Sequence, residues 1–131
     1  MAQPQTQAID ILMDIIAKKT NINTRVDKLP LNGGTTIELH GSKNRSRSLN
    51  GSHQSETLVL LFLSKNKSQL TAVDNLNDIG NCLSSINKFP DDEIVQIISA
   101  MVTTDAGLVE NDNDYWIYSM VVDVKIAFKQ Y

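Results

Sequence analysis

The first twenty positions carry apolar residues at helical spacing: Ile9, Leu12 and Ile16 recur beside Ala8, Ile11 and Ile15 and make one wide face. Thr6 stands where a capping hydroxyl would begin the helix, and Lys18 and Lys19 fall in its last turn, where cations suit the helix dipole. A face this broad predicts a helix lying on a sheet. After Leu29-Pro30, the pair Gly33-Gly34 introduces "TTIELH", where Ile37 and Leu39 alternate with Glu38 and His40 as in a short strand. Composition then changes. "GSKNRSRSLNGSH" holds Lys43, Arg45 and Arg47 with a single apolar residue, Leu49, and predicts a projecting loop.

In "ETLVLLFLS" at 56 to 64, Leu58, Leu60 and Phe62 face one way and Val59, Leu61 and Leu63 the other. Such a strand prefers cover on both faces. A second helix is predicted from Ser68 to about Ser85, with Val73, Leu76, Ile79, Leu83 and Ile86 on its apolar face, and Pro90 prevents its continuation. A strand from Glu93 to Thr103 and a loop through Asp105 and Gly107 to Asp114 follow.

The last segment alternates without a break. Every even position from Trp116 to Phe128 is apolar or aromatic, while Ser119, Asp123, Lys125 and Lys129 lie among the odd ones. At roughly 3.4 Å per residue this strand would span about 40 Å, against the five or six residues of an ordinary strand. The plain alternative is two shorter strands joined by a bulge near Ser119 to Val121. Ile117 and Val121 make the odd face partly apolar as well.

The order helix, strand, strand, helix, strand, strand predicts an α+β fold. It is a mainly antiparallel sheet of about four strands with two helices on one face, forming a single domain over residues 1–131 with a flexible basic Ser-rich loop at 41–55. Two helices on one face leave the other face of the 58 to 63 strand uncovered, and with it the odd positions of the last strand. Surplus apolar area without convergent polar groups points to subunit packing more than to a pocket.

Composition narrows the chemistry. The formal net charge is -3 and the pI near 5.2, which argues against a general nucleic-acid binder. Cys82 is the single cysteine, so neither an intramolecular disulfide nor a cysteine-based metal site is available. Asp10 and Asp14 interrupt the apolar positions of the amino-terminal segment, which reads as no secretory signal, and no apolar run reaches membrane-spanning length. The triplets at Asn44, Asn50 and Asn66 that match a glycosylation acceptor therefore read as polar loop chemistry.

Candidate catalytic groups are few. His53 beside Ser52 and Ser55, and His40 at a strand end, are the positions from which an enzyme or ligand-binding domain would be built on the open sheet face, but polar loop residues of this kind are usually solvated. Gly33-Gly34-Thr35-Thr36 lacks the ending of a phosphate-binding loop, and the carboxylates at 91–93 and 110–114 lack calcium-loop spacing. The reading is of no catalytic, cofactor or metal site. Lys43, Arg45 and Arg47 alternate with polar residues, so in an extended segment they would project to one side, toward phosphate or an acidic partner. Nucleic-acid regulation through residues 43 to 53 is a weaker option, since no aromatic is interleaved for stacking.

The order "SETLVLLFLSKNKSQLTAVDNLNDIGNCLSSI", then "FPDDEIVQIISAMVTTDAGLVENDNDYWIYSMVVDVKI", resembles the minor capsid or tail-completion proteins of phages with long non-contractile tails, similar in plan to the tail terminators. The residues that carry it are Ala72, Leu76 and Ile79 after a strand ending in Ser and Lys, and the final strand opening at Tyr115 to Ser119 behind an acidic loop. Where that group has an aromatic-Asp-Gly-Ser turn, this chain has Leu49-Asn50-Gly51-Ser52. The resemblance implies a non-enzymatic α+β subunit of a ring, typically of six, at the head-tail junction of the virion, assembled in the host cytoplasm. Its partners would be tail-tube and head-connector proteins, with no membrane and no specific nucleic acid; a head-completion or connector adaptor protein is the neighbouring possibility. The interface candidates are Lys43, Arg45, Arg47, Ile117, Ser119 and Val121.

Overall fold

The computed structural model describes residues 3–26, 29–47, 53–112 and 114–129. Helix α1 (Pro4–Thr20) and a two-residue strand β1 (Thr24–Arg25) precede the long strands β2 (Gly34–Arg47) and β3 (His53–Asn66). Helix α2 (Gln69–Ser84) then leads to β4 (Gln96–Asp112) and β5 (Tyr115–Lys129). The five strands form one sheet in the order β1-β2-β3-β5-β4. β1 runs parallel to β2, and every other pair is antiparallel. The α+β class therefore stands, with five strands where about four were expected. The addition is β1, too short to carry an alternating pattern.

Both helices cover the face built from the even positions of β3 and β5. Leu58, Leu60 and Phe62 join Met120, Val122, Val124 and Ile126 beneath Ala8, Leu12 and Ile16 of α1 and Ala72, Leu76, Ile79 and Leu83 of α2. At Gly80 α2 lies close against the sheet: a Cβ there would meet Val102 Cγ2 at 3.2 Å and Met120 Sδ at 3.3 Å. Pro4 occupies the first turn of α1, where its missing N–H costs nothing. Gln3 takes the capping position without a side-chain bond, so Thr6 lies inside the helix instead of capping it. Asn21 closes α1 in the left-handed region at φ 61°, donating its N–H to the Ala17 carbonyl. At α2 the predicted Ser68 cap is present, its hydroxyl accepting from the Thr71 N–H at 3.3 Å.

The last strand is continuous. β3 and β5 pair without a register shift from His53 opposite Lys129 to Asn66 opposite Trp116, so a break near Ser119 to Val121 does not occur. The irregularities fall on β4, which shifts register against β5 at four points. The residues from Asp105 to Asp112, expected as a loop, are strand. A partner as long as β5 offers hydrogen bonds along its whole length, and the turn-like Asp105-Ala106-Gly107 is absorbed as a bulge between Thr104 and Gly107.

The basic loop requires the same correction. Residues 41–47 and 53–55 are the outer ends of β2 and β3, with the Ser46 and Ser55 hydroxyls 2.8 Å apart across the ladder. Backbone pairing satisfies a hairpin whatever its side chains, so polarity alone was a poor guide. Residues 48–52, including the Leu49-Asn50-Gly51-Ser52 turn, lie outside the described residues.

Candidate functional site

The face of the sheet away from the helices carries the surplus apolar positions. Across it the ladders align Glu38, Leu61, Val121 and Thr104 in one row, and Gly41, Val59, Asp123 and Met101 in the next. Val59, Leu61, Leu63 and Val121 are half-buried there, and Met101 is 63% exposed. Charge rims this centre. Lys43 Nζ lies 2.8 Å from the Asp123 carboxylate, and Lys125 is exposed one row beyond. At the other end Lys65 stands 4.8 Å from the centre of the Tyr115 ring. Burying an exposed Leu or Val side chain completely is worth roughly 1.5–3 kcal/mol; these half-buried positions retain part of that, so a partner on this face has a driving force the isolated subunit leaves unused.

The basic residues of the hairpin do not share a side. Asn44 adopts φ 57°, within the register shift between Lys43 and Ser46. An extra residue in the strand reverses the alternation. Lys43 consequently points to the open face, whereas Arg45 turns to the helix side, its Nε donating to Glu56 at 3.0 Å. The Glu56 side chain has no exposed surface, and it also accepts from Gln5 at the start of α1. Arg45 thus fastens the hairpin to the helix layer. Arg47 pairs with Gln54 and is exposed.

Of the other interface candidates, Ser119 and Val121 are half-buried on the open face, while Ile117 is only 7% exposed and largely occupied by its own fold. Sequence reasoning missed Glu56, although its even register with Leu58, Leu60 and Phe62 places it on the covered face.

The titratable groups do not converge. His40 lies opposite the Val59 to Leu60 step and contacts the Glu38 carboxylate at 3.2 Å, whereas His53 begins β3 at the far end of the ladder. Among the described residues no group of three His, Cys, Asp or Glu side chains is placed to hold a metal ion, and no helix is long and apolar enough to cross a membrane. Cys82 is buried on α2, and burial pushes its thiol pKa up, partly offset by Lys19. Among the described residues, an open groove of about 600 Å³ lies between α1 and the β1–β2 edge, lined by Ile9, Met13, Val26 and Leu39.

No family model matches this chain, and no curated protein matches it. Among solved structures, the chain is similar to a chain in the virion of a native gene transfer agent (GTA) particle. The TM-score is 0.52 over 94% of this chain and 89% of that chain, at 14% sequence identity. At that identity the likeness is one of fold.

Proposed function

We propose that this chain is a non-enzymatic structural protein of a phage-type particle, a tail terminator-like ring subunit that ends tail-tube polymerisation and joins tail to head. The observation that carries the reading is the fold shared, over nearly all of both chains, with a chain of a virion. The uncovered apolar face of the sheet supplies a reason to assemble: Val59, Leu61, Leu63 and Val121 form a half-buried apolar centre. A polar rim around an apolar centre is the anatomy of a protein interface. The subunit would act as one member of a homo-oligomeric ring, typically of six, between tail-tube and head-connector proteins at the head-tail junction, after assembly in the host cytoplasm.

Electron microscopy of particles from the parent genome carrying a stop codon at Gln54 tests this. Filled heads lying apart from tails of irregular or excessive length are expected. Heads that leak DNA beside tails of normal length would move the protein to head completion. Normal infectious particles would overturn the structural reading.

A further inference from the structure

We propose that copies of this chain join head to tail through their sheet edges, the acidic β4 edge of one copy pairing with the basic β1–β2 edge of the next. The inference rests on the ring reading above and supplies its contact.

The strand order leaves two free edges on opposite sides of the sheet. Among the described residues β1 pairs only with Thr35 and Thr36, and no strand pairs with the outer edge of β2 from Ile37 to Arg47. Among the same residues β4 has β5 on one side and no strand on the other. Edge strands are ordinarily blunted with lysine, proline or very short length. β4 is 17 residues long and contains no lysine, arginine or proline. Its bulges leave regular runs at Ser99 to Val102 and Glu110 to Asp112, and Ile98, Met101, Leu108 and Val109 along it are exposed.

The two edges carry opposite charge. β4 holds Asp105, Glu110 and Asp112 and no cation; β1 and β2 hold Arg25, Lys43, Arg45 and Arg47 against Glu38 alone. Unlike edges that attract each other make a heterologous contact, the kind that closes into a ring, whereas like edges of one copy and another repel.

Direction and register agree with this pairing. β2 and β4 run antiparallel to each other within the sheet, so a neighbour of the same orientation brings its β4 antiparallel to β2. Within one chain the ladders set Gly107 level with Thr36, and Ser99 level with Lys43. β1 already occupies the edge at Thr36, so an incoming β4 has to shift toward the hairpin tip. Bringing Gly107 level with Arg45, from the Leu63 row of β3 to its Glu56 row, is a slide of roughly 25 Å at strand rise. That slide sets Asp105 beside Arg47 and Glu110 beside Lys43. The offset forced by sterics is the one favoured by charge, and a stagger of this kind tilts strands as closure of a sheet into a barrel requires.

The test uses two charge-reversed variants. One carries Arg47→Glu, the other Asp105→Lys. Both side chains are exposed. Lys43 and Arg45 are left alone because they hold Asp123 and Glu56. Each is supplied in trans to the genome with the Gln54 stop codon, after thermal melts establish wild-type folding.

Wild-type protein restores joined particles. Either variant alone sets like charges against each other and lowers the yield by about a hundredfold, while the two together, alternating around the ring, recover it to within about tenfold of wild type. A single variant that restores particles alone, or two folded variants that fail together, would overturn edge pairing and leave the ring reading in place. The ring reading fails separately, if the stop-codon genome gives normal particles before any variant is supplied.

Discussion

Replacing Arg45 with Ala removes the cation that faces a fully buried carboxylate. The Arg45–Glu56 contact is 3.0 Å, with Arg45 64% exposed and Glu56 not exposed at all. Two unit charges at that distance attract by roughly 5–6 kcal/mol at an effective dielectric constant of about 20. Water around the guanidinium and the cost of ordering a long side chain remove most of that, since fully exposed pairs yield only about 0.2–1 kcal/mol. What remains is dominated by the carboxylate oxygen left unpaired, since Gln5 holds only the other one and a buried group stripped of a partner costs about 1–3 kcal/mol.

A loss of about 2 kcal/mol is therefore expected for Arg45→Ala. With a urea m-value of about 2 kcal/mol/M this lowers the unfolding midpoint by about 1 M. The single tryptophan, Trp116, is half-buried on β5 and reports the transition by fluorescence. In a Glu56→Gln background the same change removes only a hydrogen bond from a solvated guanidinium to an uncharged amide and should cost about 0.5–1 kcal/mol, so the double-mutant cycle should show a coupling of about 1 kcal/mol. Lys43→Ala, which breaks a pair whose lysine is 51% exposed and whose Asp123 is 17% exposed, should cost about 1 kcal/mol or less. If Arg45→Ala shifts the midpoint no more than Lys43→Ala, or the cycle closes with no coupling, Arg45 does not fasten the hairpin and the buried carboxylate finds its partner elsewhere.

Asp92 accepts from the Ile94 N–H at 2.9 Å, the Val95 N–H at 3.2 Å and the Gln7 amide at 3.1 Å, tying the start of β4 to α1. The Ile94 bond is the largest cause holding its pKa below the ordinary carboxylate value, with partial burial opposing it. A depressed folded-state pKa contributes stability above the unfolded pKa, about 3.9, and loses it as pH falls through the folded value. Wild type should therefore exceed Asp92→Asn in urea midpoint at neutral pH, with the gap narrowing at acid pH; a gap independent of pH would remove the role of the charge. Gly80→Leu should lower stability by about 1–3 kcal/mol, since Val102 and Met120 already stand where its Cβ would go, and an unchanged midpoint would mean that α2 lifts freely from the sheet. Cys82, buried and with its pKa raised, should react slowly with a disulfide reagent in the native protein and quickly in urea above the unfolding midpoint; fast native labelling would contradict the packing of α2.

The apolar period determined most of the frame. Even positions from Trp116 to Phe128 specified a long strand with one covered face, because a one-residue slip would carry the entire apolar set to the other side. The helices were legible for the same reason, and the Ser68 cap because its hydroxyl acts locally. The surplus on Val59, Leu61, Leu63 and Val121 announced a face that two helices could not cover. Tertiary structure decided what periodicity does not encode. A hairpin of serines and arginines becomes strand because β3 supplies backbone partners. The Asp105 to Asp112 segment pairs because β5 is long enough to receive it. A left-handed Asn44 sends Lys43 and Arg45 to opposite faces. Each of these depends on a partner distant in the chain, and side-chain pattern records which face of a strand is apolar without recording which strand lies beside it.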